Sequence, residues 1–218
     1  MRRSSRGILA INIALSLSHC PETGITYAML LGRSPMQAAY ITQRIIDLAP
    51  VAHHPAFLPT LICTFHRNLL RRLCDKANDD LFGVEMDSGQ TWAPVVGWRP
   101  QGMRPNDMEI TKRVLGVIQL TTAWEPYSKA LLSDIESIQE FIEHVNGITP
   151  APRSMLVAAE GRILHERLSF LARKSSLMLW RFGYVKQRAQ AQQAAVRLSQ
   201  INEGKIANHH HRCITFLP

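Results

Sequence analysis

Between Leu164 and Ala189 an apolar or small residue returns every three or four positions, at Leu164, Leu168, Leu171, Ser175, Met178, Phe182, Val185 and Ala189, and Val196 falls on the same seam seven residues further on. A mean spacing of about 3.5 residues is the a/d pattern of helices that pack lengthwise against a companion. The last third of the chain is thereby predicted to be one long helix, from Arg153 to about Ile201. Six of these residues, Leu164, Leu168, Leu171, Met178, Phe182 and Val185, form the candidate interaction seam. After Ile201 the sequence turns polar, through Asn202, Glu203 and Gly204 to His209, His210 and His211, which predicts a solvated tail over 204–218.

The companion is the segment before it. Asn106 is a plausible N-cap, and Ile110, Val114, Ile118, Trp124, Leu131, Ile135, Ile138, Ile142 and Val145 follow at helical spacing. Pro126 is expected to kink this helix. Residues 147–152, rich in glycine and proline, leave room only for an antiparallel return. Charge fits the pairing. The chain has 218 residues and a formal net charge of +8, and most of the excess lies in the final helix. The preceding helix is acidic, so Glu136 and Glu140 are expected to meet bases of the final one.

Upstream, residues 8–18 alternate in polarity, Pro21-Glu22-Thr23-Gly24 reads as a turn, and Ile25 to Leu31 reads as a second strand, together a β-hairpin. Two strands alone are marginal, so the hairpin has to pack on something or join further strands. Ser34-Pro35-Met36-Gln37 is a capping box with a first-turn proline, which starts a helix running to about Leu48. Pro55 and Pro59 allow only a helix entrance, and Leu58, Leu61, Ile62, Phe65, Leu69 and Leu73 then continue to an end near Asn78. Glycines and prolines crowd residues 83–105, which predicts a loop anchored by Trp92 and Trp98. The expected fold is α+β and predominantly helical. Its parts are a strand-containing head with two helices (1–82), the loop (83–105), a long antiparallel helical hairpin (106–203) and the tail (204–218).

Cys20, Cys63, Cys74 and Cys213 are scattered and suggest neither a zinc framework nor a redox pair, which favours a reducing, cytoplasmic setting. Basic residues near the start precede a short apolar stretch in the manner of a signal peptide, but the alternation of Asn12, Ser16 and Ser18 with Ile11, Ile13, Leu15 and Leu17 favours a strand. No window is apolar for long enough to span a membrane. For metal binding the candidates are His53 and His54, with His66 nearby, and the carboxylates Glu136 and Glu140. Cys63 and His66 could form a nucleophile pair, against the simpler reading of a core cysteine. Neither a phosphate-binding glycine loop nor a serine elbow is present. The bases Arg167, Arg173, Lys174, Arg181, Lys186 and Arg188, interleaved with Trp180 and Tyr184, suit nucleic acid or a membrane surface, or pairing with the acidic helix and with copies of the same chain in an oligomer, which is the reading preferred.

The order of parts resembles that of fungal CorA-like proteins. The matching pieces are Leu15-Ser16-Leu17-Ser18 through Thr23-Gly24, the Ser34-Pro35 helix entrance, His54-Pro55-Ala56-Phe57-Leu58-Pro59, and Val185-Lys186-Gln187-Arg188-Ala189-Gln190-Ala191-Gln192. Transporters of this type carry a Gly-Met-Asn pore motif, whereas this chain has Gly102-Met103-Arg104 and no spans. The resemblance implies the cytoplasmic head and stalk without the pore, and no cofactor beyond a possible Mg ion. The expected activity is non-enzymatic: self-association, or binding a membrane-protein homologue through the long helices. The alternatives are a divalent-cation-sensing domain and a basic nucleic-acid-binding protein.

Overall fold

A computed structural model describes residues 13–32, 35–48, 52–89, 107–151 and 153–214. Two strands, β1 (Ile13–Cys20) and β2 (Ile25–Gly32), are followed by helices α1 (Pro35–Asp47), α2 (Phe57–Ser88), α3 (Asp107–Ile148) and α4 (Ser154–Ile214). This is the predominantly helical α+β architecture expected, with a small antiparallel sheet at the start and long helices at the end. Ser34, Asn106, Trp92 and Trp98 lie outside the described residues, as does the first part of the predicted strand 8–18.

The hairpin forms where polarity alternates. Ile13, Leu15, Leu17 and His19 are half-buried on one face, while Ala14, Ser16 and Ser18 face solvent. Ser16 pairs with Met29 and Ser18 with Tyr27, so the outer face carries the exposed Tyr27, Met29 and Leu31 from β2. Gly24 closes the turn with φ of 69° and a backbone bond from its N–H to the Cys20 carbonyl at 2.8 Å. Any side chain there would meet both a left-handed backbone and the Arg153 guanidinium that lies over it.

The described residues divide into two compact units, Met1–Leu69 with Ala130–Ser176, and Leu70–Lys129 with Leu177–Pro218. Each takes a part of α2, α3 and α4, a partition unlike the serial one of head, loop, helical hairpin and tail. In the first unit α3 and α4 run antiparallel: Gln139 donates to Ser169 Oγ at 3.0 Å, and Asn146 lies over Gly161, where a Cβ would crowd Ile142. In the second, the three helices share a core of Ala77, Leu81 and Val84 from α2, Ile110, Val114 and Val117 from α3, and Val185, Ala189 and Val196 from α4.

Two helix ends differ from expectation. α2 continues past Asn78 to Ser88, so residues 83–88, expected in a loop, are helical. Leu70, Cys74, Ala77, Leu81 and Val84 are all buried, and this seam of alternating four- and three-residue steps outweighs the roughly 1 kcal/mol that Gly83 costs a helix. The stop is Gly89, whose φ of 70° supplies the left-handed residue common after a last turn. α4 likewise runs beyond Ile201 to Ile214, through residues expected in the polar tail, because each added residue of an established helix gains its own backbone bond. α3 passes Pro126 as one helix.

Candidate functional site

All nine seam positions of α4 are buried within the chain, from Leu164 at 2% and Leu168 at 0% exposure to Val196 at 5%. The predicted interaction residues Leu164, Leu168, Leu171, Met178, Phe182 and Val185 are therefore core, and no surface is left there for a second copy.

Among the described residues, three bases of α4 form ion pairs and others do not. Arg181 pairs with Asp75 at 3.1 Å, Lys186 with Glu125 at 3.6 Å, and Arg188 with Glu85. Two of these three acids belong to α2 rather than to the acidic α3. Arg188 is held most completely: its Nε donates to Glu85 Oε1 at 3.1 Å, one terminal nitrogen donates to Asn78 at 3.1 Å, and the guanidinium lies 5.4 Å from the Tyr184 ring. A cluster of unpaired bases lies earlier on the helix. Arg162, Arg167, Arg173 and Lys174 make no ion pair among the described residues. Glu136 and Glu140, expected to meet bases of α4, are exposed and likewise outside these ion pairs.

A further row runs along the outside of α4. Two positions after each a residue stand Ile163, Phe170, Leu177, Tyr184, Ala191 and Leu198, with Leu156 one heptad earlier. In the first unit Leu156, Ile163 and Phe170 are 57%, 53% and 51% exposed. With about 3.6 residues per turn, Arg167 and Lys174 fall on one flank of this row and Arg162 and Arg173 on the other. Lys174 Nζ lies 5.3 Å from the centre of the Phe170 ring. The bases Arg167, Arg173 and Lys174 are legible in the sequence as part of a basic face; the seven-residue recurrence of Ile163 and Phe170 is the signal that adds the apolar row to it.

The predicted metal candidates do not converge. His53 is exposed, with Nδ1 3.3 Å from Glu160 Oε1, whereas His54 is buried. Among the described residues no three His, Cys, Asp or Glu side chains could hold an ion together. Cys63 is buried, and desolvation, aided by Asp134, pushes its thiol up to about 12, so it offers no thiolate near neutrality; burial raises Cys74 as well. At the hairpin turn a cleft of about 320 Å³ is lined by His19, Thr23, Gly24, His53, Thr149 and Arg153, among others. It brings one guanidinium and two imidazoles to the same cleft.

His54 is a structural group with a pH signature. Its Nδ1 accepts from the Ala56 N–H at 3.0 Å, which places the neutral ring's proton on Nε2. Burial lowers its pKa to about 4, partly offset by Asn146 beside it. Neither His54 Nε2 nor Asn146 Oδ1 reaches a partner within hydrogen-bond geometry among the described residues. The unfolded chain takes up this proton below about 6.5 and the native chain only near 4, so the stability is whole above pH 6.5 and is lost on acidification through that window. The loss is expected to be on the order of 2–3 kcal/mol between pH 7 and pH 4. His66, also lowered by burial, adds to it in the same direction. Urea unfolding at the two pH values tests this: His54→Asn, which can still accept from Ala56 but cannot titrate, should show the smaller acid loss.

Comparison of the chain with protein-family models, with curated proteins and with solved structures gives no match in any of the three. Among the described residues no helix is long and apolar enough to cross a membrane.

Proposed function

We propose that the chain is a non-enzymatic helical module that works by binding, with the outer face of α4 around Ile163 and Phe170 as its binding surface. The observation that carries this is the contrast between the two rows of one helix. The a/d seam is consumed inside the chain, while Ile163 and Phe170 stand half exposed among cations that make no ion pair among the described residues. Apolar side chains exposed in a line and rimmed by charge mark interaction sites more often than chance surface exposure does. Self-association through the a/d seam would require opening the chain's own core. A cation-sensing role would need Glu136 and Glu140 to be drawn into a common donor set. The raised thiol of Cys63 leaves the Cys63–His66 pair without an available nucleophile. Kinship with CorA-like proteins would make α3 and α4 the counterpart of a cytoplasmic stalk, and it rests on the sequence motifs alone.

Anilinonaphthalene sulfonate, an anionic apolar dye, is the direct probe of such a face. Its fluorescence should rise with the native protein and fall several-fold with Ile163→Ser/Phe170→Ser, while unfolding stays within about 0.5 kcal/mol of the parent. Equal dye binding by the parent and that variant would contradict the assignment.

A further inference from the structure

Resting on the binding role of this face, we infer that the surface it fits is an anionic lipid bilayer, met by the first-unit part of α4 from Leu156 to Lys174. Three observations on this segment favour that occupant over the others.

Charge excludes a second copy. Arg162, Arg167, Arg173 and Lys174 flank the row, and Glu166 is the one exposed acid among them. Two copies meeting through this face would set these cations against each other, which costs rather than stabilises. The apolar row, in turn, argues against a purely electrostatic partner. Leu156, Ile163 and Phe170 are each more than half exposed, and a phosphate backbone leaves such side chains in water. A bilayer interface accepts both kinds of group at once: the apolar side chains enter the headgroup and acyl boundary, and the cations remain at the level of the lipid phosphates.

The spacing argues against a partner helix. Knobs-into-holes packing needs two apolar positions per heptad on the contact face. Here only one is apolar, with Glu166, Arg167, Arg173 and Lys174 occupying the neighbouring rows. A single straight line of apolar side chains instead suits tangential contact between a helix and a plane. Phe170 with Lys174 5.3 Å away provides an aromatic ring and a cation that can reach the interface together.

Co-sedimentation with vesicles tests this using the full chain. Phosphatidylcholine vesicles containing roughly one third phosphatidylserine should bind the protein at least about tenfold more tightly than pure phosphatidylcholine vesicles, and the difference should shrink as salt is added. Each cation near such a surface adds roughly fivefold, so Arg173→Gln/Lys174→Gln should weaken binding by more than about tenfold. Ile163→Ser/Phe170→Ser should weaken it as well, and neither variant should change thermal unfolding because these positions lie outside the core. Free inorganic phosphate at equal charge should not compete, which separates a bilayer from its headgroup alone.

Equal binding to both vesicle types, or no dependence on either variant, would overturn the inference. So would a concentration-dependent dimer that Ile163→Ser/Phe170→Ser abolishes, or tight binding of a DNA duplex without vesicle binding. Dye binding that responds to Ile163→Ser/Phe170→Ser without vesicle binding would overturn the lipid assignment and leave the face itself standing. Loss of both signals would remove the face too.

Discussion

Arg188→Ala is expected to destabilise the protein by about 3–5 kcal/mol, among the largest effects of any single substitution here. The cause lies in what it abandons. Glu85 is 2% exposed, and both of its carboxylate oxygens accept from the Arg188 guanidinium, which also bonds Asn78 and stacks near Tyr184. Truncating Arg188 leaves a carboxylate that water cannot easily reach and that no cation replaces. The pair itself need not be a net stabiliser, because removing two charges from water offsets most of what their attraction contributes. Glu85→Leu together with Arg188→Met should therefore recover most of the loss, and could match the parent. Urea unfolding of the three variants distinguishes these cases. A cost below about 0.5 kcal/mol for Arg188→Ala would mean that the carboxylate is hydrated and the site is not closed.

That ion pair also shows where sequence reading stopped. Glu85 falls within residues 83–105, where clustered glycines and prolines predict a loop, yet it occupies the last turn of α2. Gly83 and Gly89 look alike in the sequence, but only Gly89 has a positive φ; Gly83 is an ordinary helical residue facing Arg113. Asp79 and Asp80 further mask the seam, since they face solvent between the buried Ala77 and Leu81. An α2 that ends near Asn78 leaves Glu85 out of helix, so the Arg188 partner is missed; Asp75, the Arg181 partner, lies within the expected α2, and only the greater acidity of α3 pointed away from it.

Legibility was best where periodicity is long. The a/d seam of α4 runs from Leu164 to Ala189 in steps of three and four and resumes at Val196, and every one of these residues is buried. The hairpin was equally plain, because period-two alternation in β1 and a glycine at a turn leave little choice. Periodicity does not say what a seam packs against, so residues read as an interaction surface proved to be the chain's own core. Nor does it say which charges remain unpaired. The proposed binding face depends on Arg162, Arg167, Arg173 and Lys174 standing outside the ion pairs of the described residues, which the positions of neighbouring helices decide.

The two rows of α4 have opposite fates, which neighbouring residues make testable. Leu168 is fully buried on the inner seam, and Phe170, two residues on, is half exposed on the outer row. Leu168→Ala should cost about 2–5 kcal/mol through lost apolar burial and the cavity left behind, a loss unchanged by protein concentration because the seam is covered within one chain. Phe170→Ala should remain within about 0.5 kcal/mol of the parent. The most direct measurement is therefore the unfolding free energy of these two variants over about a hundredfold range of protein concentration. A large, concentration-independent loss for Leu168→Ala beside a negligible one for Phe170→Ala is the predicted result; a Leu168→Ala loss that depends on concentration, or a comparable loss for Phe170→Ala, would contradict it.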